Sequence, residues 1–139
     1  MNVRNRTLLL VAFALPCLAG CINDAASLQI DGKEHSISLV REQHWLWDKQ
    51  MELSVVVSRM PDCQRRHRLR NTNIGSSTVE VFSLSEVSFL LRQGARLYFV
   101  ETETCESFRE LERAPAEGLG RRLGRFVEVE GRYVFEGAR

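Results

Sequence analysis

After residue 15 the chain has no apolar run approaching the roughly 20 residues that a helix needs to cross a bilayer. A spanning helix is therefore not expected in the remainder. No internal repeat and no low-complexity segment is visible, which excludes solenoids and mucin-like or Gly/Ser-rich stalks. The chain lacks Cys-x-x-Cys, the usual mark of a redox-active pair, and Gly-x-Ser-x-Gly, the nucleophile elbow of many hydrolases. Gly118-x-Gly120-x-x-x-Gly124 lacks the preceding strand and following helix that a phosphate-binding loop requires.

What is present begins with the leader. Arg4 and Arg6 form a short basic region, and Leu8 to Leu15 is an unbroken apolar run. Pro16 and small residues follow. That order is the layout of a secretory signal. Its end, Leu18-Ala19-Gly20-Cys21, resembles the lipobox of bacterial lipoproteins, with Leu and two small residues before Cys. The resemblance implies cleavage before Cys21, diacylglycerol on its sulfur and acylation of its new amino group. Several acyl chains anchor stably where one binds only marginally. The sorting rule of such lipoproteins reads the residue after the Cys. Ile22 stands there, not Asp, so the resemblance implies the outer membrane, facing the periplasm. With Arg4 and Arg6 removed, 17 basic side chains face 18 acids in residues 21–139, a balance that argues against a nucleic-acid partner.

Cys17 would leave with the leader and Cys21 would carry lipid. Cys63 and Cys105 remain, in an oxidising compartment, and are expected to pair.

Residues 21–27 read as a short lipidated tether, and residues 28–139 as one domain with a mostly two-residue period. Leu28, Ile30, Ile37 and Leu39 share a face if Asp31-Gly32 is a hairpin loop. Leu53 to Val57 is rich in β-branched residues, Met60 to Cys63 reads as a turn, and Gln64 to Arg70 returns as a strand. Thr78 to Leu84 is another strand. Val87 to Arg92 and Ala95 to Glu101 flank Gln93-Gly94 as a hairpin, although Ser83 to Glu86 also resembles a capping box opening a helix. Thr104 is placed to cap a short helix over residues 105–113, with Phe108 and Leu111 inward. A last hairpin surrounds Gly131. The expected fold is mainly β: an antiparallel sheet or small curled barrel with one short α-helix.

Sites are harder to read. Cys63 and His67 are four apart, about 13 Å on a strand, and a disulfide would consume the thiolates, so no metal is expected. His35 reads as a half-buried packing residue. Trp45 and Trp47 share a strand face and read as core, or as a stacking platform for a glycan or partner. Glu101 and Glu103 read as solvated acids. No catalytic set and no cofactor is indicated. Arg66, Arg68 and Arg70 project from one strand face, with Arg65, His67 and Leu69 on the other. That stripe would suit an anionic lipid or an acidic envelope protein. Alternatively it is a charged edge or a solvated face, or is partly neutralised by Glu101, Glu103, Glu106, Glu110 and Glu112, which a Cys63–Cys105 bond would bring alongside.

Beyond the lipobox the chain looks like the small lipoproteins of Gram-negative bacteria. Membrane-bound lysozyme inhibitors are similar in leader, size and β character, but their Ser-Gly-x-Arg-Tyr type motif is not matched by Gly131-Arg132-Tyr133. The expectation is a membrane-anchored binding or structural module, with a lysozyme-inhibitor-like protein or a small envelope enzyme as alternatives.

Overall fold

The computed structural model describes residues 20–139. Of the leader and its junction, only Gly20 and Cys21 fall within that range. One antiparallel sheet contains β1 (Asn23–Asp31), β2 (His35–Glu42), β3 (Gln50–Arg59) and β4 (Cys63–Arg68) in that order, with short β5 (Thr72–Asn73) pairing the start of β3. A second contains β6 (Val79–Ser83), β7 (Ser88–Gln93), β8 (Arg96–Glu101), β9 (Phe108–Leu111), β10 (Arg121–Val129) and β11 (Arg132–Gly137), ordered β11-β10-β6-β7-β8-β9. The mainly antiparallel β fold expected from the alternation is present. The sheets do not close into a barrel, and the described residues contain no helix.

Period-two patterning explains the packing. Ile37, Leu39, Leu53, Val55 and Val57 line the inner face of the first sheet. Val79, Val81, Phe89, Leu91, Val100 and Phe126 line that of the second, and all are buried. Each such side chain contributes about 1.5–3 kcal/mol by leaving water. A second apolar row crosses the outer face of the larger sheet, where Phe82, Leu90 and Phe99 lie opposite one another. Arg92 and Arg109 spread their guanidiniums over Phe82 and Phe99 and cover part of it.

Several local expectations need correction. Residues 23–27 are not a tether but the first half of β1, with Asn23 opposite Glu42 and Ser27 opposite Ser38. Ala26 continues the inward period of Leu28 and Ile30, which recruits the segment to the sheet. The first hairpin loop has three residues, because Asp31 faces His35. A register shift at Ile30 then takes up one residue, so Leu28 faces Ile37 and not Ser38, and the inward face is unchanged. The next turn closes from the Asp62 N–H to the Arg59 carbonyl, 2.9 Å, one residue earlier than read from Pro61. Residues 88–101 form the hairpin, and Ser83 to Glu86 is its entry turn, where the Ser85 hydroxyl accepts from the Val87 and Ser88 N–H groups.

The helix expected over residues 105–113 is absent. Cys105 sits in the left-handed region (φ 62°), which no helix continues through, and Phe108–Leu111 instead adds β9 to β8. Gly124 lies inside β10 at a register shift. Its φ is 153°, and a Cβ there would come 2.2 Å from the Glu136 carbonyl oxygen, so only glycine fits.

Candidate functional site

Chemistry-bearing side chains collect at the two ends of the sandwich and along one edge. The first end is where β1 starts and where loop 43–49 joins β2 to β3. Cys21 is exposed there with a free thiol, its Sγ 4.0 Å from the His44 carbonyl. Trp45 and Trp47 are not core residues and lie on no strand. They are 59% and 75% exposed, with Leu46 between them at 52%. Their rings stack at 5.4 Å between centroids and 12° between planes. His44 meets the Glu52 carboxylate, and this partner holds its pKa above the ordinary value.

Beneath this end lies Arg41, only 1% exposed. It extends the inward row of Ile37 and Leu39, so a charge enters the core. Its guanidinium donates to both Asp24 oxygens (2.8 and 2.7 Å), to Ser77 Oγ and to Glu128 across the sandwich. It also lies 4.4 Å over the Tyr133 ring. These four acceptors, with the Tyr133 ring, offset the desolvation cost of the guanidinium. An inward-facing position occupied by Arg, opposite Asp24, was the available sequence signal.

The opposite end holds a cleft of about 620 Å³ between the sheets. Leu28, Ile30 and Phe89 give it an apolar wall, and Arg59, Glu86 and Arg121 a charged rim. His35 also lines it, with a ring nitrogen 2.7 Å from Thr102 Oγ1. Burial, then the Arg59 charge, lowers its pKa. The serines of this cleft serve turns: Ser83 Oγ donates to the Ser85 carbonyl, and Ser85 Oγ caps N–H groups. His35 is therefore paired with a threonine and not with a serine nucleophile. No group of three or more metal-ligating side chains occurs among the described residues.

Comparison with known proteins returns no matching family model, curated protein or solved structure. Function therefore rests on this chain's own geometry.

Along the edge, Arg66 and Arg68 project from the outer face of β4, while His67 turns inward and stacks on Phe108 at 4.9 Å. Arg70 lies beyond the strand. Each arginine has a carboxylate partner: Arg66 with Glu42, Arg68 with Glu52 at 2.6 Å, and Arg70 with Glu110 at 3.6 Å. Arg65 reaches Glu106 at 3.1 Å. Two of these acids, Glu106 and Glu110, belong to the acidic stretch expected across the disulfide, whereas Glu42 and Glu52 lie on β2 and β3. The disulfide itself is present. Cys63, first residue of β4, bonds Cys105 in the loop after β8, with Cα atoms 5.9 Å apart.

That loop is organised by Glu101, which is not a solvated acid. It is 8% exposed. One carboxylate oxygen accepts from Thr104 Oγ1 and the N–H groups of Glu106 and Ser107; the other accepts from the N–H groups of Glu103 and Thr104. Burial alone would raise its pKa, but these donors overcome it and bring it down to about 2. Thr104, placed by its sequence to cap a helix, instead donates its hydroxyl to this carboxylate.

Proposed function

We propose that this chain is the precursor of a bacterial lipoprotein, held by acyl chains on Cys21 at the periplasmic face of the outer membrane, and that its β domain acts there as a binding module. The observation that carries the reading is the isolation of Cys21. It stands exposed and free directly after Leu18-Ala19-Gly20, two residues before β1, while Cys63 and Cys105 bond to each other. The binding role is supported by the cleft, whose apolar wall and charged rim suit a ligand with both characters. β1 is nine residues long, so it carries the cleft roughly 27 Å from the anchored end, facing away from the membrane.

The test is Cys21→Ser. Acyl labelling is expected to vanish and the protein to leave the membrane fraction; unchanged labelling refutes the anchor. In a density gradient the wild type is expected with the outer membrane, and an inner-membrane peak refutes the sorting. A photocrosslinking residue in place of Glu86 is expected to capture an envelope component in cells. Absence of any adduct, with full expression, refutes the cleft as the binding surface.

A further inference from the structure

The loop between β2 and β3 is rigidly built yet leaves its largest apolar side chains in water. Trp45 and Trp47 are the only two tryptophans of the chain, and both are exposed, as is Leu46 between them. Ile74, also exposed, joins the same end, since its N–H donates to the Lys49 carbonyl at 3.1 Å. Exposed apolar side chains gathered at one end in this way normally mark a contact surface.

Gln43 shows that the exposure is built in. It is buried at the root of the loop. Its side-chain oxygen accepts from the Ile22 N–H at 3.2 Å, and its amide nitrogen donates to the carbonyls of Leu46 (3.3 Å) and Asp48 (2.9 Å). Its own N–H donates to the Ile22 carbonyl at 2.8 Å, and the Asp48 N–H closes onto the Trp45 carbonyl at 3.0 Å. The carbonyls of Trp45, Leu46 and Asp48 are thus held within the loop, and the side chains of residues 45–47 are left outside. The same glutamine ties the loop to Ile22, next to Cys21. With the Cys21 sulfur 4.0 Å from the His44 carbonyl, acyl chains on that sulfur would begin beside the tryptophan pair.

We propose that Trp45, Leu46 and Trp47 insert into the interfacial region of the same bilayer that receives the Cys21 acyl chains. The domain then rests on the membrane through two adjoining contacts. Tryptophan suits this depth, because its ring is apolar while its N–H keeps a partner among headgroups and water. Occupancy by lipid follows from position: no bilayer can take the chains on Cys21 without meeting the loop that touches it. This inference rests on the lipid-anchored reading above.

The experiment uses the mature chain reconstituted in phosphatidylethanolamine–phosphatidylglycerol vesicles, with mass spectrometry of the same sample reporting acylation. Because residues 45 and 47 are the only tryptophans, emission excited at wavelengths beyond tyrosine absorption reports on the loop alone. Lipids brominated on the acyl chains are expected to quench most of it, while aqueous iodide leaves it nearly untouched. Trp45→Phe and Trp47→Phe keep an aromatic body in place and assign the signal of each partner. Acylated protein that is quenched by iodide and not by bromolipid overturns the insertion and leaves the anchor standing. Protein without acyl groups overturns both. Emission that responds to added peptidoglycan glycan strands, and not to bromolipid, overturns it in favour of a sugar on the stacked rings.

Discussion

Replacing Glu101 by Gln preserves the shape of the side chain and removes its charge, and the structure sets the size of the effect. Five donors converge on the carboxylate, from Glu103, Thr104, Glu106 and Ser107. A glutamine turns its NH2 group against either the two donors on one oxygen or the three on the other, so donors face donors. The carboxyl is held at about 2 against an ordinary 4.5. At 1.36 kcal/mol per pKa unit, that depression corresponds to about 3 kcal/mol of stability. The sign follows from its direction: the contribution is complete above pH 4.5 and is lost as the pH falls through about 2. Urea unfolding followed by far-ultraviolet circular dichroism is the suitable assay, since both tryptophans are already in water in the folded state. At pH 7 Glu101→Gln is expected to lose about 3 kcal/mol, or about 10 °C in Tm for a domain of this size. The gap to wild type is then expected to narrow below pH 4.5 and nearly close at pH 2. A gap under about 0.5 kcal/mol at pH 7, within the ordinary scatter of surface substitutions, refutes the reasoning. So does a gap that stays constant from pH 6 to pH 2.

Removing the disulfide by Cys63→Ala with Cys105→Ala is expected to cost about 2–5 kcal/mol in the same assay, and non-reducing peptide mapping should link the two cysteines in wild type; equal stability would refute a structural bond. NMR titration is expected to place His44 above and His35 below the ordinary 6.5, with Glu52→Gln lowering His44 alone; the reverse order would contradict the pairing. Arg41→Met is expected to cost about 3 kcal/mol, because Asp24 and Glu128 lose a shared buried cation; a change under 1 kcal/mol in urea unfolding would contradict its role in joining the sheets. Joint substitution of Arg66, Arg68 and Arg70 by Gln is expected to cost only about 1 kcal/mol, since exposed pairs are weak, and to leave every in-cell crosslink in place. Loss of a salt-sensitive crosslink at unchanged stability would instead show an anion-binding stripe.

Much of the fold was legible because burial on one sheet face writes itself into the chain with a period of two. Leu28, Ile37 and Leu39 marked the first hairpin, and the extra loop residue changed nothing inward because the register shift at Ile30 offsets it. The pairing of Cys63 with Cys105 followed from elimination among four cysteines. Misreadings came where a side chain competes with the backbone. Thr104 before an apolar pair looks like a helix cap, yet Glu101 claims the N–H groups that would have opened the helix. The spacing of Trp45 and Trp47 suits a core as well as a stacking platform, and periodicity does not reveal that Gln43 gathers the loop carbonyls and turns residues 45–47 out. Arg41 was legible in principle, as a charge in an inward row.

The replacement of an expected tether by a strand changes how the domain can sit on a membrane. A flexible seven-residue linker would let the domain tumble about its anchor, with no fixed orientation for any surface. Here Ile22 is tied to Gln43 and Asn23 is already paired with Glu42, so Cys21 has almost no slack. One residue past the start of β1, Asp24 is clamped by Arg41, which reaches Glu128 on the opposite sheet. A pull on Cys21 is therefore delivered to both sheets, not to one frayed strand. On the lipid-anchored reading, this junction fixes the long axis of the sandwich away from the bilayer. The Trp45–Trp47 loop is directed toward the lipid and the His35 cleft away from it. On the same reading, substituting Arg41 is expected to loosen the angle at which the cleft is presented without touching the anchor at Cys21.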